Sequence, residues 1–396
     1  MKRIAQITTA FAFLATSLSA FVVVAAESVK ARAAAPQVEV CFVLDTTGSM
    51  GNLIQGAKDK IWSIANELAS AKPTPSIKFG LVAYRDRNDD YVTKVFNLTD
   101  DIDALYEHLM SFQAKGGNDT PESVNQALHD AVTLMKWSEG RKVLKLVFLV
   151  GDAPPHMDYP DDVKYPKVCE LAMERSLIIN TIQCGTLAAT TVVWTDIARK
   201  SEGQYAAILQ TGGTVAVVTP FDKQIAEVNR QLNQTIVGYG DAAAQRAVRS
   251  KIALNDESKV EAVADRADFF RKVRGASASR SGAGFGGKVL GGGDDLIEQL
   301  IGKKIKIEDI DPKKLPEDLK KLPAKERAAA IMARVEDRKK LQLKIDALLK
   351  SRGAFVTKEK ERLAKAGQVD SFDLKVKEMI RTQGARKGIN LDTSGK

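Results

Sequence analysis

Val38–Met50 reads VEVCFVLDTTGSM. An apolar run from Val40 to Leu44 empties into Asp45, Thr47 and Ser49, three oxygen-bearing side chains at every second position. Side chains two apart in an extended segment point the same way, so a carboxylate and two hydroxyls converge, and Gly48 lets the backbone turn around their meeting point. Oxygen-only donors suit a hard cation, magnesium, manganese or calcium, rather than zinc. Taken alone, the stretch also reads as a strand end with a Ser/Thr-rich helix cap.

Two further segments separate those readings. Val143–His156 (VLKLVFLVGDAPPH) is a second buried strand ending in Asp152, and Gly116–Ser123 (GGNDTPES) is a glycine-started loop offering Asp119, Thr120 and Glu122. Ligands of open parallel sheets gather at the carboxyl ends of the strands, so three such loops arriving at one edge make a site. The intervening sequence alternates as such a sheet requires. Ile54, Ala57, Ile61, Ile64, Ala65 and Leu68 share a helical face, and Ile77–Tyr84 is the next strand. RDRNDD then turns the chain into Tyr91–Leu98, an antiparallel edge strand. Helices follow over Ile102–Phe112, Val124–Trp137, Val168–Leu177 and Val192–Lys200, strands over Ile178–Cys184, Tyr205–Leu209 and Val215–Val218, and a closing helix over Phe221–Val237. The expected fold class is α/β: a doubly wound, mostly parallel sheet covered on both faces, followed by a mainly helical basic tail.

The three loops carry a family resemblance. DTTGS at 45–49 resembles the Asp-x-Ser-x-Ser motif of the metal-ion-dependent adhesion site in von Willebrand factor A domains, a Rossmann-like fold. NDTPES is similar to the Asp-x-Pro-Glu loop of integrin β-subunit domains, and GDAPPH to their Asp-Ala-x-x-His segment. The resemblance implies that Asp45, Thr47 and Ser49 are metal ligands, that Asp152 is a ligand directly or through water, and that Glu122 is the fourth contributor. A different register places Asp119 there instead, with Thr120 a third option. In that family the metal bridges the domain to an acidic side chain of a ligand. The implied function is an exported, divalent-metal-dependent adhesion or scaffold module, not an enzyme, whose protein partner offers a carboxylate. The alternative is phosphoryl transfer: DTTGS also resembles an Asp-x-Thr-Gly-Thr loop, in which Asp45 would be the nucleophile and Asp152 would hold magnesium. Against it, Thr47 stands where related phosphatases carry a second acid, and GGNDTPES has no role.

Asp86 and Asp89 of the hairpin either line the same edge or are simply exposed. His156, close behind Asp152, could order the site, whereas His108 and His129 fall within helices; one histidine beside oxygens does not make a zinc centre.

Lys2 and Arg3 precede an uncharged apolar run, Ile4–Ala26, with small residues up to Ala35. Residues 1–35 thus read as a secretory signal or an uncleaved anchor, and the expected location is periplasmic or secreted. Export bears on the cysteines. About ten helical residues descend roughly 15 Å and about six strand residues climb back roughly 20 Å, which brings Cys169 and Cys184 to one edge of the sheet. A Cys169–Cys184 disulfide is expected, with Cys41 buried and free; three reduced core thiols are the alternative.

Charge divides the chain. Residues 241–396 hold 36 Lys plus Arg against 24 Asp plus Glu, or +12, whereas the first 240 hold 23 against 26, or −3. The expected layout is a metal-binding domain over 37–240, a polar helical extension over 241–281, a Gly-rich linker over 282–293 and a charged helical region over 294–396. The linker contains Gly-x-Gly-x-x-Gly at Gly282, Gly284 and Gly287, but no strand leads into it, which argues against a nucleotide loop. The basic region is either a cationic surface for an anionic envelope or a solvated helical hairpin. It lacks the interleaved aromatics of single-strand nucleic-acid binding.

Overall fold

The computed structural model describes residues 35–117, 119–209, 217–281, 289–366 and 371–390. Six strands, β1 (Gln37–Asp45), β2 (Ser76–Tyr84), β3 (Thr93–Thr99), β4 (Leu144–Gly151), β5 (Leu177–Cys184) and β6 (Tyr205–Ile208), form one sheet in the order β3-β2-β1-β4-β5-β6. Every neighbouring pair is parallel except β2 and β3. The central strands are covered on both faces, which is why they read as continuous apolar runs rather than alternating ones.

The crossovers are α1 (Gly51–Ala69), α2 (Ile102–Ser111), α3 (Val124–Thr133), α4 (Tyr165–Glu174) and α5 (Ala188–Lys200). Successive strand residues feed opposite layers. Val40, Phe42 and Leu44 join α1 and α2 through Trp62, Leu68 and Leu105. Cys41, Val43 and Leu149 join α3, α4 and α5 through Leu128, Val168 and Ile197. Strand order reverses between β1 and β4, so the chain leaves their carboxyl ends in opposite directions and opens a crevice there. Asp45 ends β1, and Asp152 directly follows β4.

The second half of the chain is helical, and part of it packs against the sheet's own helices. Its helices are α6 (Asp222–Gln234), α7 (Ala242–Glu257), α8 (Val260–Ser281), α9 (Leu296–Ile301), α10 (Glu317–Lys320), α11 (Ala324–Lys365) and α12 (Ser371–Ala385). The helix expected to close the sheet, observed as α6, packs on α8 and α11 instead; α8 and α12 are the ones that lie on α1. Phe269 and Phe270 of α8 stand 6.1 and 6.3 Å from the Trp62 ring. Val376, Met379 and Ile380 of α12 enter the same apolar layer as β1, and Gln383 exchanges two hydrogen bonds with Asn180 of β5, at 3.0 and 2.6 Å. Residues from Ala35 onward therefore make one compact unit. Buried ion pairs knit it together: Arg266 grips Asp103 at 2.7 and 2.8 Å, Arg352 meets Asp222 at 2.7 Å, and Arg338 and Lys251 meet Asp295 and Asp101.

Two smaller expectations are corrected. Residues 282–288 of the Gly-rich run lie outside the described residues, but Val289 and Leu290 are buried and the Gly291 N–H donates to Asp103 at 2.7 Å, so this end of the run is packed rather than a linker. Of the short strand expected at Val215–Val218, residues 217–218 are not extended in the sheet and the rest lie outside the described residues. The expected signal or anchor at 1–35 also lies outside them, save Ala35. No helix among the described residues is long and apolar enough to cross a membrane.

The Cys169–Cys184 disulfide is not formed; all three cysteines are free and buried. Cys169 belongs to the layer of α3, α4 and α5, whereas Cys184 points into the layer on the opposite face. Helix and strand lengths fix the height of a sulfur along the sheet but not the face, and the sheet itself separates these two.

Candidate metal centre

The β1 carboxylate is held by its own loop. The Thr47 N–H and hydroxyl both donate to Asp45 Oδ1, at 2.9 and 2.6 Å, and Ser49 Oγ lies 3.3 Å from Thr47 Oγ1. Thr46 ties the loop to β2 through Tyr84, whose carbonyl accepts from the Thr46 N–H at 2.9 Å and hydroxyl at 2.8 Å. The second loop is clipped on by Gly48 N–H to Gly116 O at 3.0 Å and Lys115 N–H to Thr46 O at 3.1 Å.

Paired glycines decide what that second loop presents. Gly116 and Gly117 sit at φ +75° and +62°, which residues with a Cβ rarely adopt. A Cβ on Gly117 would stand 2.5 Å from Glu122 Oε1 and 2.6 Å from Thr47 Cβ. Glu122 is thereby brought beside Thr47 with only a glycine between. The third loop closes the group. A Cβ on Gly151 would stand 2.5 Å from the Tyr84 hydroxyl and 3.0 Å from Asp45 Oδ2. The Asp152 carbonyl accepts from the Thr190 hydroxyl at 2.8 Å, and the Glu122 N–H donates to Pro154 O at 3.0 Å.

The electrostatics are one-signed. Burial pushes the Asp45 carboxyl up to about 7, against the pull of its Thr47 hydrogen bonds, and the Asp152 charge adds to the rise. Burial, followed by the charges of Asp45, Asp86, Asp89 and Asp152, pushes Glu122 up to about 9. Asp45 Oδ2 and Glu122 Oε2 are buried with no hydrogen-bond partner. No Lys or Arg among the described residues pairs with either.

The two acids that compete for the fourth position end in different places. Glu122 is buried beside Thr47, whereas Asp119 is exposed and joins Asp86 and His156, each with one ligand atom within 4.8 Å of the others'. His156 Nε2 is 3.3 Å from Asp86 Oδ2, Nδ1 is 2.8 Å from Asp158 Oδ1, and the ring stacks on Tyr159 at 3.9 Å. Asp86 also accepts from Ser123 at 2.7 Å and Tyr159 at 2.9 Å. The hairpin thus lines the edge: Asp89 accepts from the Gly117 N–H at 3.0 Å. Thr120 is exposed. Sequence reasoning missed Arg85, which is buried and donates to Thr46 O at 3.2 Å and Gln113 O at 2.8 Å, stapling two loops. It also missed Tyr84 and Tyr159. An arginine opening a polar hairpin carries no mark of burial, so the sequence offered no signal for it.

Comparisons with known proteins bear on the first half of the chain. Residues 39–220 match the family model described as von Willebrand factor A domain. An ariadne-like RING finger protein of Acanthamoeba polyphaga mimivirus is 26% identical over 157 residues, 39% of this chain and 15% of that protein. The von Willebrand factor A domain-containing protein 7 of Rattus norvegicus is 36% identical over 97 residues, 24% of this chain and 10% of that protein. The chain thus spans only a small part of either relative's length. Among solved structures, the SpRpn10 VWA domain is similar at a TM-score of 0.35 and 16% identity, over 44% of this chain and 89% of that one. Proximal thread matrix protein 1 of the mussel byssus, with a zinc-occupied MIDAS motif, is similar at 0.35 and 19%, over 44% and 42%. That zinc belongs to the mussel protein.

Proposed function

Because residues 39–220 match the von Willebrand factor A domain model, we propose that this protein is an exported module that captures a carboxylate of a protein partner through a divalent cation. The cation is held by Asp45, Thr47, Ser49, Glu122 and Asp152. One observation carries the reading: Asp45 and Glu122 each keep a buried oxygen without a hydrogen-bond partner, and no Lys or Arg among the described residues pairs with either. Burying ionised carboxylates is costly unless a cation meets them. A divalent ion supplies that charge, and the all-oxygen donor set fits magnesium, manganese or calcium. Such an ion keeps water at its remaining positions, and an anionic oxygen of a partner replaces one of them. The chemistry is binding rather than turnover.

His156 adds an imidazole to the carboxylates of Asp86 and Asp119 next door, with one ligand atom of each within 4.8 Å of the others', a group that would suit a second divalent cation. Calorimetric titration with magnesium and manganese tests the principal site. Saturable binding by the chain, lost in an Asp45→Ala, Ser49→Ala variant of unchanged circular dichroism, is the expected result; binding that survives in the variant refutes the assignment. Hydrolysis of a generic phosphate ester that disappears in Asp45→Asn would favour the phosphoryl-transfer alternative instead.

A further inference from the structure

α8 and α11 are pinned together where Arg352 of α11 meets Asp265 of α8 at 2.6 Å and Arg274 of α8 meets Asp346 of α11. Between them lies a cleft of about 700 Å³, within the range of small-molecule sites, about 300–1,000 Å³. Its described lining carries four cations, Arg271, Lys272, Arg274 and Lys350, against two acids, Asp268 and Asp346. Asp268 alone serves both Arg271 and Lys272, at 2.6 and 2.8 Å, and Asp346 is taken by Arg274. Arg271 spends only its Nε and Nη2 on Asp268, at 2.9 and 2.6 Å. The Lys350 ammonium belongs to an exposed residue and has no ion pair or hydrogen bond among the described residues. Gly275 and Gly353 also line the cleft. Both stand within helices, and a Cβ on either would meet nothing within 4 Å. Glycine weakens a helix relative to alanine, and packing requires neither of these.

We propose that this cleft binds a phosphate monoester carried on a polar molecule of the sugar- or polyol-phosphate class. The site shares no residue with the metal edge and needs no metal. An excess of two positive charges matches a phosphate monoester, which carries roughly −1.5 to −2 at neutral pH, better than it matches a singly charged carboxylate. A cleft with one sign in excess concentrates such an anion. The unspent Arg271 donors and the Lys350 ammonium meet its oxygens, and the two glycines leave room for it down to the backbone. The carrier is polar because Leu349 is the one large apolar side chain among the described lining residues, with no aromatic ring to stack a nucleobase.

Two probes test the site on the full chain, both in EDTA so that no cation bridges a phosphate to Asp45: calorimetric titration with glycerol 1-phosphate, and sedimentation with phosphatidylcholine vesicles containing phosphatidic acid. Saturable binding to at least one is expected. On whichever probe binds, a Lys350→Glu, Gly353→Glu variant of unchanged circular dichroism should be at least about tenfold weaker, and Lys350→Gln should be weakened less. Both positions are exposed on α11. Lys136→Glu, at an exposed residue just past α3, should bind as the parent does. Binding to the soluble ester assigns a free ligand, and binding to the vesicles alone assigns a lipid head group. No binding to either probe, an unaltered affinity in both cleft variants, the same loss in Lys136→Glu, or equal affinity for acetate and glycerol 1-phosphate each overturns the proposal.

Discussion

The sheet edge and the helical cap, the second-half helices α6–α12 with the helices they pack against, bury carboxylates in opposite ways. Where the cap packs, Asp103 of α2, Asp222 and Asp295 each face an arginine that is itself buried, and Asp268, although burial raises it, ends below its ordinary value because Lys272 and Arg271 lie against it. At the edge, Asp45 and Glu122 are equally buried, face other acids, and are raised instead. The contrast separates two uses of one side chain. A carboxylate met by arginine joins helices; a carboxylate left without a cation by the protein is, on the function proposed above, one that takes a cation from solution.

The largest expected effect breaks the cap side of that contrast. Arg338→Met leaves Asp295 buried without its partner and should cost about 3–5 kcal/mol in urea denaturation, with much less lost when Asp295→Leu accompanies it. Should the single change cost nothing, the cap pairs are not structural. Next in size is the cation. Magnesium at about 100 times its dissociation constant should stabilise the protein by about 2.7 kcal/mol, read as a rise in thermal midpoint, and should leave Asp45→Ala unmoved. That variant, freed of a buried charge, should equal or exceed the metal-free parent in stability.

Gln383→Leu, which leaves the buried Asn180 amide without its α12 partner, should cost about 1–3 kcal/mol. Loss of α12 protection in hydrogen exchange, with the metal titration intact, would show that the closing helix and the edge are energetically separate. The smallest effect is a slope. Asp45 and Glu122 are raised to about 7 and about 9, so below those values protons compete with the cation. Magnesium affinity should therefore climb between pH 6 and 9 by less than about tenfold per pH unit for each group, with protons released on binding. The same groups favour the metal-free fold at low pH, where both are protonated, and that contribution fades as pH rises through their folded values. A flat affinity profile would show that neither carboxyl touches the ion.

Much of the edge was legible because its signals are local. The placement of Asp45 and Asp152 at strand ends follows from the apolar runs before them, whereas Ser49 is brought 3.3 Å from Thr47 by a 3-10 turn over Gly48–Met50 and not by the extended chain the spacing suggested. The choice between Asp119 and Glu122 was not legible: it turns on Gly116 and Gly117 in the left-handed region, which reverse the loop and send neighbouring acids to different clusters. His156 could be read as near the site, but its approach to Asp86 depends on two loops far apart in sequence.

The sequence by itself determined the parallel sheet, its antiparallel edge strand and the three loops at the carboxyl ends, since continuous apolar runs and strand-helix alternation are properties of short segments. Only the tertiary structure decided that Cys169 and Cys184 face opposite layers, and that α8 and α12, not α6, cover α1. An amphipathic helix states in its sequence that one face is buried but not against what. That address is set by complementary shapes and by pairs such as Gln383 with Asn180, whose partners lie 203 residues apart.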